Sequence, residues 1–200
     1  MKSSILTPAL ALLFAVLMMA IIPTEADAAV YDDTVRLHIL ANSDSDYDQA
    51  LKYEIRDAVL DAFGTRLGGL ESASDAEAKL SSLLSEIESF CKREVEARGY
   101  DYGVSVSLGK EWYDTRKYES FTLPRGIYTS LKIVIGEGEG KNWWCVMYPP
   151  LCLDAATESA PCDDAIKKYT DEEFVLVSSN GYNVKFKMLE LISDAFSQKR

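Results

Sequence analysis

Residues 123–152 decide the fold, and they read L-P-R-G-I-Y-T-S-L-K-I-V-I-G-E-G-E-G-K-N-W-W-C-V-M-Y-P-P-L-C. The part from 127 to 135 is rich in β-branched and apolar residues, which favour an extended strand. The run 136–140 predicts a turn, because glycine tolerates positive φ angles. The apolar run 143–148 predicts a second strand, which two prolines end because they donate no backbone hydrogen bond. The stretch therefore predicts a β-hairpin.

A strand and a helix are predicted upstream of this hairpin. Residues 34–41 alternate between apolar and polar positions, which indicates a half-buried strand with Arg36 and His38 on its polar face. An apolar stripe over residues 51–63 predicts an amphipathic helix. A capping box at Ser45 is expected to begin that helix, and Gly64 is expected to follow its last turn.

A second helix and a second strand are predicted next. An apolar stripe over residues 76–95 indicates a helix that buries Cys91, begins at a capping box on Ser74 and ends at Gly99. Residues 102–108 alternate as a half-buried strand does. The segment from 112 to 119 has no clear period and is expected to be irregular.

The order of these elements predicts an α+β fold. We expect a mainly antiparallel sheet with two or three helices packed on one face, the third helix being predicted from residue 184 onward. The first strand could pair in either direction, and the strand order is left open. The domain is expected to span residues 29–200 as a single unit.

The N-terminus has the pattern of a secretory signal peptide over residues 1–28. Lys2 precedes an apolar run over residues 9–22, and Ala26-Asp27-Ala28 forms a small-x-small cleavage motif. We therefore expect cleavage near Ala28 and a secreted product. Retention of the segment as a membrane anchor is the alternative, because the run could span a bilayer with its flanks.

The composition restricts the classes of partner. The chain has 200 residues and a formal net charge of −11. This acidic balance argues against nucleic acid, since Lys and Arg must neutralise phosphates, and against general attraction to anionic lipid. We expect no cofactor and no small-molecule substrate.

Four cysteines allow three disulfide connectivities, and export would place them in an oxidising compartment. Cys145 and Cys152 flank the Pro-Pro bend and are the favoured pair. Cys91 is expected to be buried in a helix, whereas Cys162 could be free or pair with another cysteine.

The residues that could carry chemistry form no convincing catalytic or metal site. His38 is the sole histidine, and Cys145 is the nucleophile it would need. Acidic or amide side chains recur at alternate positions from Asn42 to Asp48, but the glycine and glutamate of a calcium loop are missing. The G-E-G-E-G run lacks the Lys-Ser/Thr pair of a phosphate loop. We expect neither an enzyme nor a metal site.

Two stretches carry a family resemblance. The opening stretch, together with R-L-H-I-L-A-N-S-D-S-D-Y-D-Q-A-L-K-Y-E-I-R-D-A-V-L over residues 36–60, resembles the two signatures of the stage II sporulation protein R family. The resemblance implies a signal made in the forespore and exported into the space between the two cells. It further implies activation of a membrane-embedded aspartic protease of the mother cell, which then processes the precursor of sigma-E.

Two other functions remain as alternatives. One is an extracytoplasmic hydrolase that uses Cys145 with His38, and the other is a generic cell-envelope binding module for peptidoglycan or protein. The hydrolase requires the two side chains to lie within hydrogen-bond reach or one water of each other.

The hypothesis for a receptor contact combines polar residues of the stretch 36–60, the first block, with Asn142 and the tryptophan pair of the stretch 123–152, the second block. Its members are Arg36, Asn42, Asp44, Asp48, Gln49, Lys52, Arg56, Asn142, Trp143 and Trp144. The two tryptophans are expected on opposite faces of their strand, so one of them would anchor the partner. The alternative is that the polar residues cap the helix and join the two blocks within the chain.

Overall fold

The computed structural model describes residues 25–67, 69–118 and 121–150, with the isolated residues 8, 11, 12, 14, 15, 169, 170 and 177. The helices are α1 (Glu25–Asp32), α2 (Asp46–Phe63) and α3 (Ala73–Ala97), with a 3₁₀ turn at Gly64–Arg66. The strands are β1 (Val35–Leu40), β2 (Val104–Tyr113), β3 (Arg116–Lys117), β4 (Thr122–Leu123), β5 (Gly126–Ile135) and β6 (Asn142–Tyr148). The predicted C-terminal helix lies outside the described residues.

The main sheet has four strands in the order β2-β5-β1-β6. β1 runs parallel to β5 and antiparallel to β6, while β2 is antiparallel to β5. The α+β class is therefore confirmed, but the sheet is mixed. The two-residue strands β3 and β4 form a separate small sheet, and β3 lies within residues 112–119, which were expected to be irregular.

The predicted hairpin is wrong, because β1 lies between β5 and β6 and pairs with both. The residues from Val35 to Ile39 are all buried, which only a central strand with both faces covered can provide. The glycine-rich run therefore connects two strands that are separated by a third strand.

Helices α2 and α3 supply the apolar layer against the sheet. Their buried faces join Leu37, Ile39, Leu131 and Ile133 in one core. The predicted N-cap of α2 is confirmed, since the Asp48 amide donates to the Ser45 hydroxyl at 3.2 Å. Cys91 is fully buried, as predicted.

The other helix ends differ in part from the prediction. α3 is capped by Ser72 instead of Ser74, with the Asp75 amide donating to its hydroxyl. Gly99 follows α3 at φ +83° as expected. Gly64 keeps a right-handed conformation, because the chain continues into the 3₁₀ turn instead of leaving the helix.

Helix α1 contains the predicted cleavage point near Ala28, and its residues after that point pack into the core. Val30 is fully buried, and the Tyr31 hydroxyl donates to the Arg125 carbonyl at 3.1 Å. Across the described residues, none of the helices is long and apolar enough to cross a bilayer.

Candidate functional site

The two sequence blocks meet where the run 136–140 crosses the end of β1. The Glu137 amide donates to Asn42 Oδ1 at 3.0 Å, and the Lys141 amide donates to Asp44 Oδ1 at 2.7 Å. The Gly140 amide donates to the Ala41 carbonyl at 2.9 Å. The polar residues that follow β1 therefore hold the connection between β5 and β6 in place.

Asp48 fixes the turn between β1 and α2. Its carboxylate accepts hydrogen bonds from Ser43 Oγ at 2.5 Å, Asn42 Nδ2 at 3.0 Å and the Tyr102 hydroxyl at 3.0 Å. Burial alone would raise the pKa of Asp48, but these hydrogen bonds and that with Ser45 outweigh burial, so the pKa lies below its ordinary value. The carboxylate therefore stays ionised inside the fold.

Lys52 and Gln49 extend this network from α2 to residues 136–141, which connect β5 to β6 and which we call the crossing segment. The Lys52 ammonium donates to Gln49 Oε1 at 2.6 Å and to the Lys141 carbonyl at 3.0 Å, while Gln49 Nε2 donates to the Ser43 carbonyl at 2.9 Å. Lys52 was expected to contribute to the receptor contact, which requires an accessible side chain, but it is 1% exposed. Burial lowers its pKa.

His38 lies in a polar cluster on the sheet face away from α2 and α3. Its Nδ1 donates to Glu111 at 3.0 Å and its Nε2 lies 2.8 Å from Asn142 Oδ1, while Lys132 also donates to Glu111 at 2.8 Å. Burial would raise the pKa of Glu111, but the hydrogen bonds from Lys132 and His38 lower it overall. The expected partial exposure of His38 is wrong, because this second face of β1 is also covered.

The register excludes a Cys145–His38 dyad. His38 pairs with Trp144, whereas Cys145 pairs with Leu37. Paired residues share a face and successive residues alternate between faces, so His38 and Cys145 point to opposite sides of the sheet. The hydrolase alternative is therefore wrong in the form in which it was stated.

Arg36 is fully buried instead of lying on an exposed polar face. Its guanidinium lies 3.9 Å from the ring centre of Tyr113 and 5.0 Å from that of Tyr128. Its Nη2 donates to the Tyr118 hydroxyl at 2.9 Å, while Nε and Nη1 find no hydrogen-bond partner in the described part of the chain. Tyrosine rings surround this charge, and no ion pair with a carboxylate is found for it among the described residues.

The two tryptophans lie on opposite faces of β6, as predicted. Trp143 faces α2, where the Arg56 guanidinium lies 5.1 Å from its ring centre. Trp144 faces the other way, with its ring centre 5.6 Å from that of His38 and 3.8 Å from the Arg116 guanidinium.

A cavity of about 520 Å³ opens beside the tryptophan pair, and we call it the Trp cavity. Its lining comes from two short segments, one at β3 and one at the start of β6. The lining residues are Arg116, Lys117, Tyr118, Lys141, Asn142, Trp143 and Trp144. The sequence interpretation identified its β6 side but missed residues 116–118, which have no helical or strand period. The available signal was a basic pair between two tyrosines in an acidic chain.

The remaining predicted residues divide into those that have contacts within the chain and those outside the described ranges. Arg56 donates to Asp57 at 2.6 Å, and Asn142 lies on the rim of the Trp cavity. Cys152 and Cys162 fall outside the described residues, so the pairing of Cys145 stays a prediction.

Within the described ranges, no group of three His, Cys, Asp or Glu side chains is arranged to hold a metal ion. The receptor contact also stays a prediction.

Comparison with known proteins gives two matches. A family model described as Stage II sporulation protein R matches residues 31–158, which include both sequence blocks. Stage II sporulation protein R of Bacillus subtilis (strain 168) is 37% identical over 185 residues, which cover 83% of this chain and 83% of that protein. No solved structure shows a significant match.

Proposed function

Because this chain belongs to the stage II sporulation protein R family and therefore has a role in sporulation, we propose that it is a secreted signal between the two cells of a sporulating bacterium. Made in the forespore, it is exported into the space between the cells. There it activates a membrane-embedded aspartic protease of the mother cell, which processes the precursor of sigma-E. The chain acts by contact and cleaves no bond itself.

One observation carries the proposal: the two family blocks form a single structural unit. β1, from the first block, lies between β5 and β6, from the second block. The hydrogen bonds of Asn42 and Asp44 to the crossing segment then fix the blocks against each other next to the Trp cavity. Such a rigid surface suits recognition of a partner, because little freedom is lost on binding.

Export is supported by the pattern of residues 1–28, a short apolar run followed by a cleavage motif. The position of α1 is compatible with cleavage near Ala28. Val30 and Tyr31, which make the contacts of α1 with the core, lie beyond that point and would remain. The family match also begins at residue 31.

Co-expression tests this function directly. The full chain is produced in a non-sporulating bacterium together with the candidate aspartic protease and the sigma-E precursor, and precursor cleavage is followed by immunoblot. We expect cleavage with the full chain and none with a variant that lacks residues 1–28, because that variant stays on the wrong side of the membrane. Equal cleavage with and without the chain would refute the proposal.

A further inference from the structure

The Trp cavity has a charge opposite to that of the molecule. The chain carries a net charge of −11, yet the described charged residues that line the cavity are Arg116, Lys117 and Lys141, with no carboxylate among them. A local positive site in an acidic protein attracts an anionic group over a short range, although the distant field is repulsive. The charge pattern therefore indicates an anionic ligand.

Arg116 is held in an orientation suited to such a ligand. Its guanidinium stacks on Trp144 at 3.8 Å from the ring centre. Trp144 is itself held between Arg116 and the side chains of His38 and Tyr113. A stacked guanidinium directs its N–H groups outward in the plane, where they match the two oxygens of a carboxylate.

Two of the three cavity cations, Arg116 and Lys141, have no counter-charge among the described residues. In the described part of the chain, Arg116 and Lys141 take part in no ion pair, although other Arg and Lys residues do. The backbone of Lys141 is fixed on both sides, since its amide donates to Asp44 and its carbonyl accepts from Lys52. Its side chain is exposed at the rim.

The opposite wall of the cavity is also rigid. Tyr118 stacks on Phe121 with ring centres 4.4 Å apart, and its hydroxyl accepts a hydrogen bond from the buried Arg36. β3 pairs with β4 behind it. A site with rigid walls binds without reorganisation, and its volume falls within the range of about 300–1,000 Å³ that is usual for ligand pockets.

We propose that the Trp cavity binds a carboxylate side chain of an acidic peptide segment in a partner protein, with Arg116 and Lys141 as the ion-pairing groups. A narrow peptide can enter the local positive site, whereas an extended anionic membrane would meet the repulsion of the whole acidic molecule. A stacked sugar is disfavoured, because Arg116 already occupies a face of Trp144. The binding site stands on these contacts alone. If the proposed function holds, this partner protein is the aspartic protease of the mother cell, and only that identification rests on the proposed function.

Titration calorimetry with a blocked hexapeptide of alternating aspartate and glutamate tests the site. Its asparagine and glutamine counterpart is the neutral probe, and the protein is produced from the whole 200-residue sequence. We expect saturable binding of the acidic peptide alone, weakened at least tenfold by Arg116→Gln and less by Arg116→Lys. Arg93→Gln is the matched control, because Arg93 is exposed on α3 away from the cavity; it should change the affinity less than twofold.

The outcomes are distinct. Equal affinity for the two peptides, or wild-type affinity in Arg116→Gln with an unchanged melting temperature, would overturn the site. Vesicles of phosphatidylglycerol are a second probe, and tighter binding to them than to the peptide, lost in Arg116→Gln, would assign the cavity to lipid headgroups instead. A protein that binds the peptide but activates no protease retains the site and loses the proposed function.

Discussion

The carboxylate of Asp48 joins the end of β1, the start of α2 and Tyr102 through its hydrogen bonds. Asp48→Asn replaces one acceptor oxygen by a donor that faces other donors. We expect the free energy of unfolding in urea to fall by about 1–3 kcal/mol, as for a buried polar group left unsatisfied. Asp61→Asn, at an exposed position of the same helix, should change it by less than about 0.5 kcal/mol.

The same substitution has a defined pH dependence. The pKa of Asp48 in the folded protein lies below its ordinary value of 3.8. Its contribution to stability is therefore fully present well above pH 3.8 and is lost as the pH falls from there through the folded pKa. The difference in stability between wild type and Asp48→Asn should shrink over that acidic range. A difference that stays constant down to pH 2 would show that the ionised carboxylate is not what stabilises the turn.

Single residues were predictable from the sequence where their role is local. Ser45 could be identified as the N-cap, because the cap depends on the next three residues alone. The burial of Arg36, His38 and Lys52 could not be predicted, since it depends on strands and tyrosines that are distant in sequence. A polar residue in an alternating pattern indicates a solvent face only when nothing else covers that face.

At the scale of elements, the close passage of the crossing segment over the end of β1 depends on Gly140. Its φ angle is not positive, so the reason is the space around it. A Cβ atom on Gly140 would approach the Ser43 carbonyl carbon to 2.7 Å and Ala41 Cβ to 2.9 Å. We expect Gly140→Ala to lower the free energy of unfolding by about 1–3 kcal/mol, as overpacking does. Gly109→Ala is the control, because its added Cβ would meet nothing within 4 Å. Equal melting temperatures for the two variants would contradict the close crossing.

The elements themselves could be predicted better than their pairing. The apolar periods located α2, α3, β1, β5 and β6, and the alternation of the Trp pair gave the correct faces of β6. Strand order could not be predicted, because the run 136–140 contains the turn-favouring glycines of a hairpin whether or not a strand lies between its ends. The hydrogen bonds from Glu137 to Asn42 and from Lys141 to Asp44, which distinguish the two cases, join distant parts of the sequence.

At the scale of the whole molecule, cysteine pairing would connect β6 to the chain beyond it. Cys145 is buried in β6, and we predict that it pairs with Cys152 in the exported protein. Peptide mapping by mass spectrometry without reduction should recover this linked pair. Cys91 should stay unmodified by iodoacetamide until the protein unfolds, since burial raises the pKa of its thiol to about 12. A recovered link from Cys145 to Cys162 would refute the pairing.

The central position of β1 also affects how the chain folds. This strand is synthesised early, but its two hydrogen-bonding neighbours, β5 and β6, lie at the far end of the described chain. Such a topology has a high contact order, and closing long loops before any contact forms slows folding. The sheet therefore cannot be completed until nearly the whole described chain is available. For a chain exported from its N-terminus, as we propose for this one, β1 can enter the membrane before β5 and β6 are available to pair with it, so slow completion of the sheet favours export.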